Sequence, residues 1–178
     1  KEYLKTKQPL LYQTFLNALK NDELSHAYLI VGETGTPLKE TALYLAKSLL
    51  CDKPDPLACE NCITCMRVEN NQYADLIVED AEEGQIKRED IDRIISTFSK
   101  TAVENKGKVI YIIHLIETLL PTSINALLKF LEEPGKDTYA ILTTQNESRV
   151  LHSLSLNSSK LIILLYALFY KSLVFIFY

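Results

Sequence analysis

Apolar residues recur along the chain with two different spacings. Short continuous apolar runs, typical of buried strands, lie at His26–Val31, Ala74–Asp80, Lys108–Leu115 and Thr138–Thr144. Helical spacing of apolar residues predicts helices at Pro9–Lys20 and Pro37–Leu50, one through Ile91, Ile94, Ile95 and Phe98, and one through Ile124, Leu127, Leu128 and Leu131 that ends before Pro134. Because strands alternate with helices, we predict an α/β fold in which helices flank a parallel sheet.

A parallel sheet of this kind binds its ligands at the carboxyl ends of the strands. The segments Gly32–Thr36 and His114–Glu117 each follow a predicted strand, and Thr143, Thr144 and Asn146 end another. We therefore expect these residues to lie on one edge of the sheet.

The pattern changes near Leu151. Leu161 to Tyr178 is an apolar run of 18 residues with one charge, Lys171. This length is at the lower limit for a membrane-spanning helix, and a lysine near its middle is unfavourable. We predict a sheet domain at residues 1–150 and an atypical apolar tail at 151–178, which is either buried or not native in sequence. A membrane-tethered fragment is the alternative, although no membrane is expected.

Composition narrows the class of protein. The chain has 178 residues, 47% of them hydrophobic and 24% charged, as in one globular domain with a core. A net charge of -4 offers no global attraction to nucleic acid. No basic segment followed by an apolar one opens the chain, so we expect a cytoplasmic protein, in which clustered cysteines favour metal over disulfides.

All four cysteines fall in one short insert, residues 51–65: Cys51, Cys59, Cys62 and Cys65. A Cys-x2-Cys pair turns two thiolates toward one point, and two such pairs share Cys62. Four thiolates form the closed tetrahedral shell of a structural zinc site. Zn²⁺ is therefore the predicted cofactor, with unpaired thiols or disulfides as alternatives.

A degenerate phosphate-binding loop follows the first predicted strand. A working loop reads G-x-x-x-x-G-K-[S/T], so that backbone N–H groups and the lysine surround the phosphates. Gly32 and Gly35 preserve part of this pattern, but Pro37 lacks an N–H and Leu38 occupies the lysine position. Lys39 comes one residue late, about 100° round a helix.

A structural role explains the same loop without a ligand. Thr36 would be the N-cap of the following helix, and Pro37 its first residue. The loop residues Gly32, Gly35 and Lys39 are then the remains of a nucleotide site that binds no ATP.

The strand Lys108–Leu115 points to the same conclusion. An ATPase of this architecture ends the matching strand with an acidic pair, for magnesium and for the attacking water. Here the strand ends His114-Leu115, and Glu117 lies beyond it. We interpret His114 as structural rather than as a ligand, and ATP binding is not expected.

Several stretches together resemble one protein family: SHAYLIVGETG, the four-cysteine insert, GKVIYII and SINALLKFLEEPGKDTYAILTTQNESRVL. They are similar to the clamp-loader subunits of bacterial DNA polymerase III, and among these to the delta-prime kind. The similarity runs from about Gln8 to Leu151. Its most specific parts are the cysteine spacing and Asn125–Pro134, which the ATP-hydrolysing gamma/tau subunits share.

This resemblance implies a P-loop NTPase-like (AAA+) sheet domain with a zinc-binding insert. It implies a non-catalytic stator that joins gamma/tau and delta subunits in a ring, which loads the sliding clamp on primed DNA during replication. No intrinsic ATPase is then expected, although such subunits belong to a polymerase holoenzyme. The family's Ser-Arg-Cys motif has no match after Arg149, which comes too early for it. With the lid and collar domains also absent, a truncation or frameshift near Leu151 is our hypothesis.

Two further readings remain open. The chain could be an ATP-hydrolysing gamma/tau-like subunit that uses Lys39 in a distorted loop. It could also be a zinc module that binds DNA directly. The cysteine segment has two basic residues, Lys53 and Arg67, but more acidic ones: Asp52, Asp55, Glu60 and Glu69. This charge balance does not make a phosphate-binding patch.

Overall fold

A computed structural model of the chain describes residues 2–82, 84, 86–98, 102–104, 106–132, 135–150, 162–165 and 172–177. Its α-helices are α1 (Glu2–Lys7), α2 (Pro9–Asn21), α3 (Leu38–Leu50), α4 (Ile63–Glu69), α5 (Arg88–Phe98) and α6 (Pro121–Glu132). A 3-10 helix covers Ile116–Thr118. The strands are β1 (Ala27–Gly32), β2 (Leu76–Asp80), β3 (Val109–His114), β4 (Thr138–Thr144), β5 (Ile162–Leu165) and β6 (Ser172–Phe177).

One sheet contains all of these strands, in the order β2-β3-β4-β1-β6-β5. The strands β1 to β4 are mutually parallel. The alternation of strands and helices predicts this arrangement, because parallel neighbours need a crossover connection between them. The registers place Asp80 beside His114 and Val31 beside Thr144. The four strands therefore end along one edge, which we call the carboxyl rim (residues 32–36, 80–82, 114–117 and 143–146).

The sheet separates two hydrophobic cores, which confirms the prediction that helices flank a parallel sheet. Alternate residues of β3 divide between them: Ile110 and Ile112 pack on the side of α2, α3 and α4, whereas Tyr111 and Ile113 pack on the side of α5 and α6. Ile110, Ile112 and Ile113 are fully buried, as a strand covered on both faces requires.

The apolar tail supplies the last two strands of the sheet. β6 pairs antiparallel with β1, and β5 pairs antiparallel with β6. The structure thus places two strands where the sequence also allowed a membrane helix. None of the helices within the described ranges is long and apolar enough to cross a membrane. The pattern change at Leu151 lies outside the described residues.

Asp75 fixes the segment that leads into β3. Its side chain is buried, at 7% exposure, and its two carboxylate oxygens accept the N–H groups of Val103 at 3.0 Å and Glu104 at 2.6 Å. The Asp75 carbonyl also accepts the N–H of Ile110 at 2.8 Å. One residue therefore ties the start of β2 to the start of β3 and to Val103 and Glu104.

Asp75→Ala should lower the free energy of unfolding by about 2 kcal/mol, because two N–H groups lose a charged acceptor. Urea unfolding followed by circular dichroism measures this change. Asp92→Ala is the matched control. Among the described residues Asp92 pairs with Arg88 alone, at an exposed position on α5, and such pairs contribute about 0.5 kcal/mol. Equal losses in the two variants would contradict the anchoring role.

Candidate functional site

The four cysteines meet at one point because two helix ends and a loop bring them together. Cys51 ends α3, Cys62 is the N-cap of α4, and Cys65 lies in the first turn of that helix. The connecting loop returns over α3, where the N–H of Ala58 donates to Ser48 Oγ at 3.1 Å. All four sulfur atoms lie within 4.8 Å of one another.

The spacing of these sulfur atoms suits one metal ion. Cys51 Sγ lies 3.5 Å from Cys59 Sγ and 3.9 Å from Cys62 Sγ. A tetrahedral thiolate site with metal–sulfur bonds of about 2.3 Å sets its sulfur atoms about 3.8 Å apart. All four thiols are free, so the disulfide alternative does not apply in this structure. The cluster can hold a metal ion with no open position for a substrate.

Backbone N–H groups already point at the sulfur atoms. The N–H of Cys59 donates to Cys51 Sγ and that of Cys65 donates to Cys62 Sγ, both at 3.4 Å. Backbone N–H groups, that of Asn61 first, lower the pKa of the Cys59 thiol to about 6. Burial raises the pKa of the Cys51 and Cys65 thiols. A cation bound among the four sulfur atoms would favour the thiolate form of both buried thiols.

Charged residues attach this cysteine insert to the rest of the domain. Lys106, which precedes β3, lies 3.1 Å from Asp52 Oδ1 and donates to the Cys51 carbonyl at 3.4 Å. Arg67 in α4 forms two hydrogen bonds with the Glu104 carboxylate, at 2.6 and 3.0 Å. These contacts join the insert to the segment that precedes β3.

In the loop after β1, two backbone N–H groups donate hydrogen bonds to carbonyl groups of the loop itself. The N–H of Thr36 donates to the Glu33 carbonyl at 2.9 Å, and that of Leu38 donates to the Thr36 carbonyl at 2.7 Å. Pro37 between them has no N–H. A phosphate-binding loop needs such groups unpaired and directed at the ligand.

Leu38 and Gly32 pack against each other inside this loop. Leu38 is 1% exposed and belongs to the core beside α2. A Cβ at Gly32 would lie 2.9 Å from Leu38 Cδ2, so a larger residue there would force the buried Leu38 side chain to shift. At Gly35 the backbone has a φ of 88°, which glycine adopts without strain.

The predicted cap of α3 is wrong by one residue. We expected Thr36 as N-cap and Pro37 as the first helical residue. In the structure Pro37 is the N-cap, with ψ at 68°, and the helix begins at Leu38 without a side-chain cap. The N–H of Leu38 donates to the Thr36 carbonyl, and this bond closes a tight turn around Pro37 that keeps Pro37 out of the helical conformation.

Lys39 pairs with an acidic residue that the sequence did not single out. Its Nζ lies 2.5 Å from Asp80 Oδ2 at the end of β2. Burial raises the pKa of Asp80, but the hydrogen bonds from Lys39 and from the Glu82 N–H outweigh burial, and the pKa lies below its usual value. This pair connects α3 to the sheet. A contact between residues 41 positions apart has no signal in a single sequence.

The ends of β3 and β4 meet through side chains. His114 is 4% exposed, and its Nδ1 lies 2.7 Å from Thr143 Oγ1, which also accepts the Leu115 N–H at 3.1 Å. Glu117 accepts the N–H of Gln145 at 2.8 Å, and Thr34 donates to the Gln145 side chain at 3.1 Å. The segments expected on one edge of the sheet do lie together on the carboxyl rim.

Comparisons with known proteins agree on one family. A model described as "DNA polymerase III, delta subunit" matches residues 7–160. The DNA polymerase III subunit delta' of Bacillus subtilis (strain 168) is 39% identical over 147 residues, which cover 83% of this chain and 44% of that protein. Subunit tau of the same organism is 34% identical, over 80% of this chain and 25% of that protein. The chain thus spans less than half the length of these relatives.

A solved structure has the same fold. A DNA polymerase III gamma subunit-related protein from Thermotoga maritima superimposes with a TM-score of 0.57, at 22% identity, over 85% of this chain and 46% of that one. At this identity the similarity concerns the fold alone. It agrees with the parallel sheet and flanking helices described above.

Proposed function

The chain belongs to the DNA polymerase III delta subunit family, and we propose that it is a non-catalytic clamp-loader subunit of the delta-prime kind. In this role it supports the loading of a sliding clamp on primed DNA and hydrolyses no ATP itself. Its partners would be gamma/tau and delta subunits, and its location the cytoplasm. The observation that carries the proposal is the self-paired loop after β1, with Leu38 buried in the lysine position.

Three features of the carboxyl rim support an inactive nucleotide loop. The N–H groups of Thr36 and Leu38 are engaged within the loop. Lys39 lies against Asp80, not against the space above Gly32 and Gly35. The end of β3 carries His114 and Leu115 where a magnesium-dependent ATPase needs two acidic residues. Each feature removes a different part of the catalytic apparatus.

The alternative is a gamma/tau-like subunit that hydrolyses ATP. The similarity to subunit tau of Bacillus subtilis, at 34% identity, keeps this candidate in place. It requires Lys39 to leave Asp80 and the loop to release its N–H groups. Nucleotide binding therefore separates the two candidates.

We also propose that the four cysteines hold a structural Zn²⁺ ion. Thiolate ligands suit zinc, and Cys51, Cys59, Cys62 and Cys65 supply a complete tetrahedral set. When bound, the ion would join the end of α3 to the start of α4. Catalysis is not expected from it, because no coordination position stays open for water.

Titration of the purified chain with a fluorescent ATP analogue and Mg²⁺ tests the proposed function. We expect no saturable binding and no phosphate release, while the gamma/tau subunit of the same organism, measured in parallel, binds and hydrolyses. Co-purification with gamma/tau and delta subunits should yield a complex that contains this chain. Magnesium-dependent hydrolysis by the chain alone would establish the gamma/tau-like alternative, and failure to join the complex would refute the stator role.

A further inference from the structure

A second group of metal-ligating side chains lies on the carboxyl rim, apart from the cysteines. Asp80 ends β2, Glu82 follows it by two residues, and His114 ends the neighbouring strand β3. Parallel pairing sets Asp80 and His114 side by side. One ligand atom from each of the three residues lies within 4.8 Å of the other two.

The imidazole of His114 is held with one nitrogen directed at the carboxylates. Its side chain is 5% exposed, and its Nε2 lies 4.0 Å from Glu82 Oε1. Within the described ranges, Nε2 has no hydrogen-bond partner. In the tautomer that donates Nδ1–H to Thr143 Oγ1, at 2.7 Å, Nε2 presents a lone pair to the space between Asp80 and Glu82. A metal-bound histidine commonly has its second nitrogen fixed by a hydrogen bond in this way.

The carboxylates are suited to a cation. The pKa of Asp80 lies below its usual value, so this group is ionised at neutral pH. Glu82 has 64% of its side chain exposed, so its carboxylate is free to move toward an ion. Lys39 supplies one positive charge, on Asp80 Oδ2. Two carboxylates facing one ammonium leave a net negative charge beside the unpaired Nε2.

We propose that Asp80, Glu82 and His114 form a binding site for one divalent transition-metal ion, of the type of Zn²⁺ or Co²⁺. One imidazole nitrogen and two carboxylates form a ligand set that zinc accepts, with water in the remaining position. Mg²⁺ and Ca²⁺ prefer oxygen ligands alone. The bound ion would compete with the Lys39 ammonium for Asp80, so metal binding weakens the contact between α3 and β2. This site is independent of the proposed clamp-loader role.

Cobalt titration of the zinc-loaded protein tests the proposal. With Zn²⁺ first bound to the cysteines, Co²⁺ should add one further equivalent, with weak visible d–d bands and no near-ultraviolet thiolate-to-cobalt absorption. Glu82→Gln should weaken Co²⁺ binding at least tenfold, because it removes one charged ligand without touching the core. Lys39→Gln should strengthen it about tenfold, since the competing ammonium is gone.

Three controls make the outcome decisive. Glu89→Gln on α5 removes one negative charge outside the site, as Glu82→Gln does within it. His26→Ala at the surface removes an imidazole outside the site, as His114→Ala does within it. Both controls should leave Co²⁺ binding unchanged. His114→Ala should abolish the further equivalent, with circular dichroism to confirm that the variant is folded. The proposal is overturned if the zinc-loaded protein binds no further Co²⁺, or if Glu82→Gln binds it as the original chain does.

Discussion

Replacing Cys65 by serine is expected to abolish binding of the proposed zinc ion and to lower the free energy of unfolding by about 4 kcal/mol. Cys65 is 1% exposed and lies within α4, so its sulfur would join the body of this helix to the ion, whereas Cys62 caps the start of the helix. Serine keeps the size of the side chain but is a poor zinc ligand. Three thiolates and one buried hydroxyl would then remain in a cluster whose geometry fits four sulfur ligands.

The loss should be large because the cysteine insert has little else to fold around. Between α3 and α4 the fully buried apolar side chains are Leu57 and Ala58, each at 0% exposure. The hydrogen bonds between Arg67 and Glu104 lie near the surface, where such pairs contribute little. The helix α4 has only seven residues, too few to be stable alone, so it depends on the cysteine cluster and on its two residues in the core, Cys65 and Val68.

Two measurements on paired variants check this prediction. Zinc content after dialysis against a chelator of moderate affinity should fall from one ion per chain to none, and the midpoint of urea unfolding should fall with it. Met66→Ser is the matched control, because it introduces serine at the neighbouring position, where the side chain is 48% exposed. It should change the free energy of unfolding by less than about 0.5 kcal/mol. A Cys65→Ser protein that still holds zinc would refute the four-thiolate site.

The sequence predicted the parallel sheet well, for a physical reason. A strand buried on both faces must be apolar throughout, so β1, β3 and β4 appear as continuous runs whose ends agree with the structure within one residue. The cysteine positions were equally informative, because a Cys-x2-Cys pair restricts local geometry.

Other features could not be predicted from local pattern. An apolar run is equally compatible with a strand or a buried helix, so residues 161–178 gave no indication of the antiparallel pair β5 and β6. The contact between Lys39 and Asp80 depends on where α3 packs against the sheet. The cap of α3 was misplaced because a tight turn around Pro37, closed by the Leu38 N–H on the Thr36 carbonyl, competes with helix propensity. Tertiary packing decides each of these features.

Leu38→Lys, which restores the lysine of a phosphate-binding loop, is expected to destabilise the domain by about 3 kcal/mol or more and to create no ATP site. Leu38 is 1% exposed and contacts the core beside α2. A lysine there either buries an unpaired ammonium or opens a gap as it turns outward. Both outcomes lose the packing of Leu38 against Gly32, where the structure leaves no spare room.

ATP binding should stay absent in this variant because a lysine repairs only one of several missing parts. Thr36 and Leu38 donate their N–H groups within the loop, and Pro37 has none to offer. The end of β3 still lacks acidic residues to hold magnesium, since His114 and Leu115 occupy those positions. The added lysine would not free the two N–H groups that Thr36 and Leu38 use within the loop, nor supply the one that Pro37 lacks.

Leu38→Met is the matched control, since it conserves volume and should cost less than about 1.5 kcal/mol. Urea unfolding and titration with a fluorescent ATP analogue in the presence of Mg²⁺ are measured on both variants. A stable Leu38→Lys protein that binds nucleotide would mean that the loop changes its hydrogen bonds readily. Leu38 would then be the one residue that prevents nucleotide binding in the loop, and this result would favour the gamma/tau-like alternative.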